Sequence, residues 1–285
     1  MTLRTNAEDL VVMAVTAFVS APTLPRPPYR PDVEGMSQVP IGMAGVVYNV
    51  RVGDPAFGWA GDHVEPGVSV SHPDPAVDHA LHYLTCVGNE ARVVTGLAAG
   101  ARGVVVGEHA RLLVDFPPEV LERLCIGDEI LIRTHGRGLR LLDFPGIQVK
   151  KASPLLLERW GLRVSAAGRL QVPVVAILPP TILGSGAELT PEFVDQDLMT
   201  GDRAALAEWG ADRLRLGDLV AVQDADHRYG RGYRPGSVTI GLIMHGDSPV
   251  GGHGPGCQDL LVCAHGELEP VLDPKANIAH ILGLR

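Results

Sequence analysis

Leu124-Cys125-Ile126-Gly127-Asp128-Glu129-Ile130-Leu131-Ile132 is echoed about 90 residues later by Leu214-Arg215-Leu216-Gly217-Asp218-Leu219-Val220-Ala221-Val222. In each phrase a Gly-Asp pair makes a tight turn that feeds a run of aliphatic residues, the pattern of a buried strand. His135-Gly136-Arg137-Gly138 follows the first copy and Tyr229-Gly230-Arg231-Gly232 follows the second. Such turn-and-strand units are common in β-barrels. Two copies fit duplicated halves, and they fit equally a single turn used twice.

Working outward, strand-like runs cover 91–94, 103–106 and 129–133 in the first half, and 172–178, 218–223, 237–244 and 259–264 in the second. Alternation and small residues also suggest a strand pair over 39–52. Asp74 followed by Pro75 reads as an N-cap and first helical residue, opening a helix that stops before Gly88. Shorter helices are expected over 118–124 and 202–214, and a turn at Gly184-Ser185-Gly186. Residues 1–20 form a strand or short helix docked on the body, and the proline-rich stretch from Pro22 to Pro31 an extended arm. The expected fold is mixed, β-rich α/β with short, barrel-like strands and a few helices. Its expected division is an N-terminal segment and arm (1–34), an N-terminal α/β domain (35–160) and a C-terminal β-rich α/β domain (161–285).

Composition sets the outer bounds. Of 285 residues, 46% are hydrophobic and 20% charged, a globular balance that leaves little room for disorder. With 34 glycines, 23 prolines and only 5% aromatics, many short strands and turns are favoured over a helical bundle. The net charge of −9 opposes nucleic acid as a partner, and basic charge is carried almost entirely by scattered arginines. The four cysteines lack CxxC spacing, which argues against a structural zinc site and against a disulfide framework. Glu8 and Asp9 precede the apolar stretch Leu10–Val19, unlike a secretory leader, and no run approaches the roughly 18 apolar residues of a membrane span. A cytoplasmic protein without membrane or nucleic-acid partners is expected.

Three polar clusters could carry chemistry. In Gly61-Asp62-His63-Val64-Glu65-Pro66-Gly67, an extended backbone would put His63 and Glu65 on one face, where imidazole and carboxylate can bind a metal or divide acid and base roles. The alternative is a polar turn capped by Asp62. The second cluster, 224–234, packs His227 with Tyr229, Arg231 and Arg234; arginine forks suit carboxylate or phosphate, whereas a solvated hairpin would look the same. In the third, His245 and His253 lie among glycines that let backbone approach a ligand closely. It is neither a Walker loop nor a dinucleotide fingerprint, and a tight chain crossing is its structural explanation. His109, after a strand, is placed facing a cleft. His79 and His82 read better as a wet helix face, and Cys257 as a buried thiol rather than a nucleophile.

Together these phrases resemble the prokaryotic family known as domain of unknown function 4438. The matching stretches are GDHVEPGVS (61–69), CVGNEARVVTG (86–96), GVVVGEH (103–109), IGDEILIRTHGRGLRLLDFP (126–145), LRLGDLVAVQDADHRYGRGYRPGSVTIGLIMHGD (214–247) and GGHGPGC (251–257). The resemblance implies an N-terminal and a C-terminal domain in a homo-oligomer, and it supplies no reaction.

The residues point to an enzyme acting on a small polar, carboxylate-bearing molecule: a hydrolase or lyase using His/Asp/Glu chemistry, with a divalent metal ion as the candidate cofactor. In that scheme Asp62, His63, Glu65, His227 and His253 are catalytic. His63, His245 and His253 are the metal ligands, and His109, Tyr229, Arg231 and Arg234 bind substrate. A metal-free isomerase or cyclase would use the same residues, and a non-catalytic metabolite-binding or assembly protein is the rival of another class. Convergence of His63, His227, His245 and His253 in one pocket would favour the enzyme.

Overall fold

The computed structural model describes residues 3–24, 28–38, 45–190 and 193–285, with the side chains of 187–190 and 193 excepted. In its first half the chain forms β1 (Met13–Val19), β2 (Arg30–Pro31), β3 (Ser37–Gln38), β4 (Val68–Ser71), α1 (Pro75–Leu84), β5 (Glu90–Val93), β6 (Arg102–Glu108), β7 (Leu112–Asp115), α2 (Pro118–Leu121), β8 (Glu129–Thr134) and β9 (Ile147–Val149). Six of these strands close a barrel in the order β1-β4-β7-β6-β5-β8. Alternation explains the closure: in β8, Ile130, Ile132 and Thr134 are buried while Arg133 is exposed. Ala17, Val70, Ala91, Val105, Val114, Ile130 and Ile132 fill the interior, and Leu81 of α1 packs with them. The helix starts as expected, with the Asp74 carboxylate accepting from the backbone of Ala76 and Val77 and Pro75 at its first position.

The second half comprises α3 (Pro154–Arg159), β10 (Arg163–Val164), β11 (Leu170–Val174), β12 (Ala176–Leu178), β13 (Leu183–Thr190), β14 (Phe193–Leu198), α4 (Arg203–Glu208), β15 (Leu219–Ala225), β16 (Tyr233–His245), β17 (Gly256–Cys263), β18 (Leu268–Leu272) and α5 (Ile278–Ile281). Its main sheet runs β12-β15-β16-β17-β14-β13, with β9 of the first half also pairing β17. One apolar core joins the halves, because Val106 and Leu113 of the barrel strands pack with Leu219, Ile240, Leu242 and Met244. The β-rich two-part architecture expected from sequence is therefore the one observed. Among the described residues no helix is long and apolar enough to cross a membrane.

The repeated Gly-Asp phrase is a shared turn. Gly127 and Gly217 both adopt left-handed φ (+90° and +88°). Asp128 and Asp218 each accept from the backbone three residues upstream, at 2.8 Å and 2.7 Å. The strands that follow enter different surroundings: β8 lies between two antiparallel neighbours, β15 between parallel β12 and antiparallel β16.

Several local expectations are corrected. Within 45–52 only an isolated bridge forms, between Val46 and Val68, and 39–44 lie outside the described residues. Gly184-Ser185-Gly186 belongs to β13 rather than to a turn. The 172–178 run divides at Val175, because β11 pairs β18 while β12 pairs β15 in another sheet. The expected 202–214 helix ends at Glu208; Gly210 turns left-handed and one 3-10 turn follows. His82 is buried rather than wet and bonds Glu108 at 2.9 Å, whereas His79 is exposed.

Candidate functional site

Four histidines and an aspartate converge where the 56–64 loop meets the ends of β14 and β16. The loop is clipped to the turn after β16: Asp247 donates its backbone N–H to Ala56 (2.8 Å), Gly246 to Val64 (2.9 Å), and His63 donates to Asp247 (3.1 Å). Residues 61–67 form no strand, so His63 and Glu65 are not placed by period-two alternation. His63 instead adopts φ +52°, left-handed backbone that costs a non-glycine residue roughly 1–3 kcal/mol and persists only on such scaffolding. His245 closes β16 fully buried, and its ring lies across Gly256, where a Cβ would overlap the imidazole. His109 follows β6, His253 rides the glycine-rich loop, and Asp197 comes from β14.

Distances define the centre. His63 Nε2 is 3.2 Å from Asp197 Oδ2 and 3.2 Å from His253 Nδ1. His253 Nδ1 lies 2.7 Å from Asp197 Oδ2, and His245 Nε2 lies 3.4 Å from Asp197 Oδ1. The His109 ring centroid is 4.2 Å from that of His245. Three overlapping sets have ligand-type atoms within 4.8 Å of one another: His63, His109 and His245; His63, Asp197 and His253; and Asp195, Asp197 and His245.

The outward-facing nitrogens are held by a second ring of groups. His63 Nδ1 bonds Asp62 at 2.7 Å, His109 Nδ1 bonds Glu65 at 2.9 Å, and Ser69 donates to the same Glu65 at 2.5 Å. His245 Nδ1 lies between the Gly246 carbonyl (2.9 Å) and the Gly256 N–H (3.2 Å), and its Nε2 faces Asp197. That Nε2 and Asp195 Oδ1 are buried without a hydrogen-bond partner, a state that costs each group about 1–3 kcal/mol unless something satisfies it.

The electrostatics are strongly coupled. Burial disfavours charge on His63, but Asp197 and Asp62 outweigh it and raise its pKa to about 10. Burial likewise opposes ionisation of Asp197, yet His245 and His63 hold it well below the usual carboxylate range. Burial and the neighbouring His109 push His245 down to about 4. Complete burial raises Asp195 to about 7. Carboxylates set among imidazoles favour positive charge at this centre, carried either by imidazolium protons or by a cation.

His63, His109, His245 and His253 are thus brought together, with Asp62 and Glu65 bonded behind two of them. His227 is not with them: it bonds Asp259 and lines a cleft that contains none of the four histidines. Arg231 borders that same cleft, and Tyr229 and Arg234 are exposed. Cys257 is buried, its thiol pushed well up by burial. Sequence reasoning missed Asp195 and Asp197. Their signal was Asp195-Gln196-Asp197 flanked by Val194 and Leu198, a polar alternation inside an apolar frame. Beside Asp62 opens a cleft of about 370 Å³ whose lining includes Arg30, Trp59, Arg203, Asp247 and Ser248.

No curated protein matches this chain. Among solved structures, one described as "Crystal structure of TM1086" is similar, with 40% identity, 98% of this chain and 99% of that chain covered, and a TM-score of 0.92. Residues 29–158 match the N-terminal domain, and residues 159–282 the C-terminal domain, of a domain of unknown function, DUF4438. The chain belongs to the DUF4438 family.

Proposed function

We propose that the chain is a metal-dependent enzyme, a hydrolase or lyase acting on a small polar carboxylate-bearing molecule. The observation that carries the reading is the buried, unpartnered Nε2 of His245 facing Asp197 among three further imidazoles. The residues fit a cation. The 3.2–3.4 Å spacings between His63, His245 and His253 nitrogens and their neighbours match the ligand–ligand edges expected when bonds are about 2.0–2.2 Å. Imidazole with carboxylate suits zinc, manganese or iron rather than calcium. His63, Asp197 and His253 would hold the ion as one set, or His63, His109 and His245 as another. A divalent cation there supplies Lewis acidity toward a substrate carbonyl.

The remaining chemistry belongs to the chain. Asp62 and Glu65 orient His63 and His109 and raise their basicity, as carboxylates behind metal-binding histidines do. The cleft beside Asp62 admits a small molecule, and Arg30 and Arg203 on its wall offer charge for a substrate carboxylate. Arg203 is partly engaged by Asp247 at 2.7 Å. Arg231 and Arg234, to which the sequence assigned that role, do not line this cleft.

Elemental analysis of purified, untagged protein by plasma mass spectrometry tests the reading, with a His63→Ala/His253→Ala variant beside it. Near-stoichiometric zinc, manganese or iron in the wild type, lost in the variant, is expected. A folded wild type, never exposed to chelator, that holds no metal and takes none up on dialysis against zinc or manganese would sink it. The His63 proton would then hold the cluster together instead.

A further inference from the structure

We infer that the opposite face of β14 carries a second ligand site, one that takes a planar cyclic amide through Gln196 and His227. Gln196 lies between Asp195 and Asp197, so strand alternation turns it away from the histidine cluster. Asp259 stands in the same relation to Gln258 on the neighbouring β17. Both carboxylate oxygens of Asp259 lie within bonding distance of His227 Nδ1, at 3.1 Å and 3.0 Å, and both residues are 2% exposed. With Nδ1 donating to Asp259, the Nε2 edge of His227 is left as an acceptor. His227 and Gln196 line an open cleft of about 370 Å³ with Thr181, Leu183, Tyr233 and Arg231, whose guanidinium donates to the Gly184 carbonyl at 2.6 Å.

Gln196 points to a ligand. It is 1% exposed, and neither Oε1 nor Nε2 has a hydrogen-bond partner. An amide removed from water with both ends unmet is an uncompensated cost that native structures rarely carry without a reason. Its requirement is specific, because it must both give and receive a hydrogen bond. A carboxylate or phosphate would satisfy the N–H end but leave Oε1 facing an anion. A cation would do the reverse. A cis amide in a ring presents N–H and C=O side by side and meets both ends, while a second ring N–H can donate to His227. Pro180, Leu183 and Tyr233 supply walls for a flat ring.

Uracil is a suitable probe, with isothermal titration calorimetry as the readout. Gln196→Leu is the informative variant, since replacing an unsatisfied buried amide by an apolar side chain of similar size should leave the fold at least as stable. Saturable binding is expected in the wild type, weakened roughly tenfold or more by the loss of two hydrogen bonds in Gln196→Leu, with an undiminished melting temperature. Acetate and phosphate should not displace uracil, and chelator treatment should leave its affinity unchanged. The proposal is overturned if Gln196→Leu binds uracil as well as the wild type, if no saturable heat develops up to the solubility of the probe, or if acetate competes. Loss of binding on chelation would place the ring at the histidine cluster and also refute it.

Discussion

Gly256→Ala tests whether the histidine cluster is built as described, and it requires no metal. Gly256 pairs with Asp197 on one side and His245 on the other. A Cβ built there overlaps three atoms of the His245 ring, which is fully buried and pinned through Nδ1 to the Gly246 carbonyl. The ring has nowhere to give, since His109 lies 4.2 Å and His63 4.9 Å away by centroid. Overpacking of this kind, together with the lost Nδ1 hydrogen bond, should cost about 2–4 kcal/mol. For a chain of this size that lowers the melting temperature by about 3–7 °C. Gly201→Ala is the control, because a Cβ there meets nothing within 4 Å and its φ is unstrained. In a double-mutant cycle, removing the ring with His245→Ala should abolish most of the Gly256→Ala penalty. A Gly256→Ala protein melting with Gly201→Ala and wild type, or strict additivity with His245→Ala, would refute the packing argument.

Two further outcomes follow from buried groups elsewhere. Arg51 holds Asp115 through paired contacts of 3.2 Å and 2.7 Å, yet burial still raises Asp115 above its ordinary 3.8. A carboxyl raised on folding contributes stability that is present below pH 3.8 and lost as pH climbs through the raised value. Arg51→Met should therefore cost more at pH 7 than at pH 4.5, reaching about 3–5 kcal/mol at the higher pH by urea unfolding; an equal loss at both would contradict it. Of the four free cysteines only Cys125 is exposed, and burial pushes the Cys86 thiol up to about 11. Native protein should react with Ellman's reagent at one thiol, abolished by Cys125→Ser, and all four should appear on denaturation. Fast reaction of a second thiol in the native state would count against the packing of Cys86, Cys257 or Cys263.

The parts of the fold legible in sequence were those with local causes. β8 showed itself by alternation after a Gly-Asp turn, and α1 by its Asp74-Pro75 start. β14 did not, because Asp195-Gln196-Asp197 reads as loop; Asp197 is buried against histidines that come from other parts of the chain. His63, His245 and His253 were recognisable as glycine-flanked histidines, but the carboxylate joining them comes from that unread strand. His227 was grouped with them by residue type and nearness along the chain. The loop after β15 instead carries His227 to Asp259 of β17, a contact that residue type alone does not reveal. His82 was assigned to the wet side of α1 because its partner, Glu108, lies across a barrel wall 26 residues on.

β14 also limits how this chain can vary in length. Its pairing with β17 runs unbroken through Asp195–Gln258, Gln196–Cys257 and Asp197–Gly256, whereas its pairing with β13 shifts register twice. A residue gained or lost on the β13 side can be absorbed by those irregularities. One gained or lost within 194–198 would turn the strand over, delivering an amide to the histidines and two carboxylates to the cleft behind. Homologous chains should therefore carry their insertions and deletions around 184–192 and keep the spacing from Val194 to Leu198 unchanged.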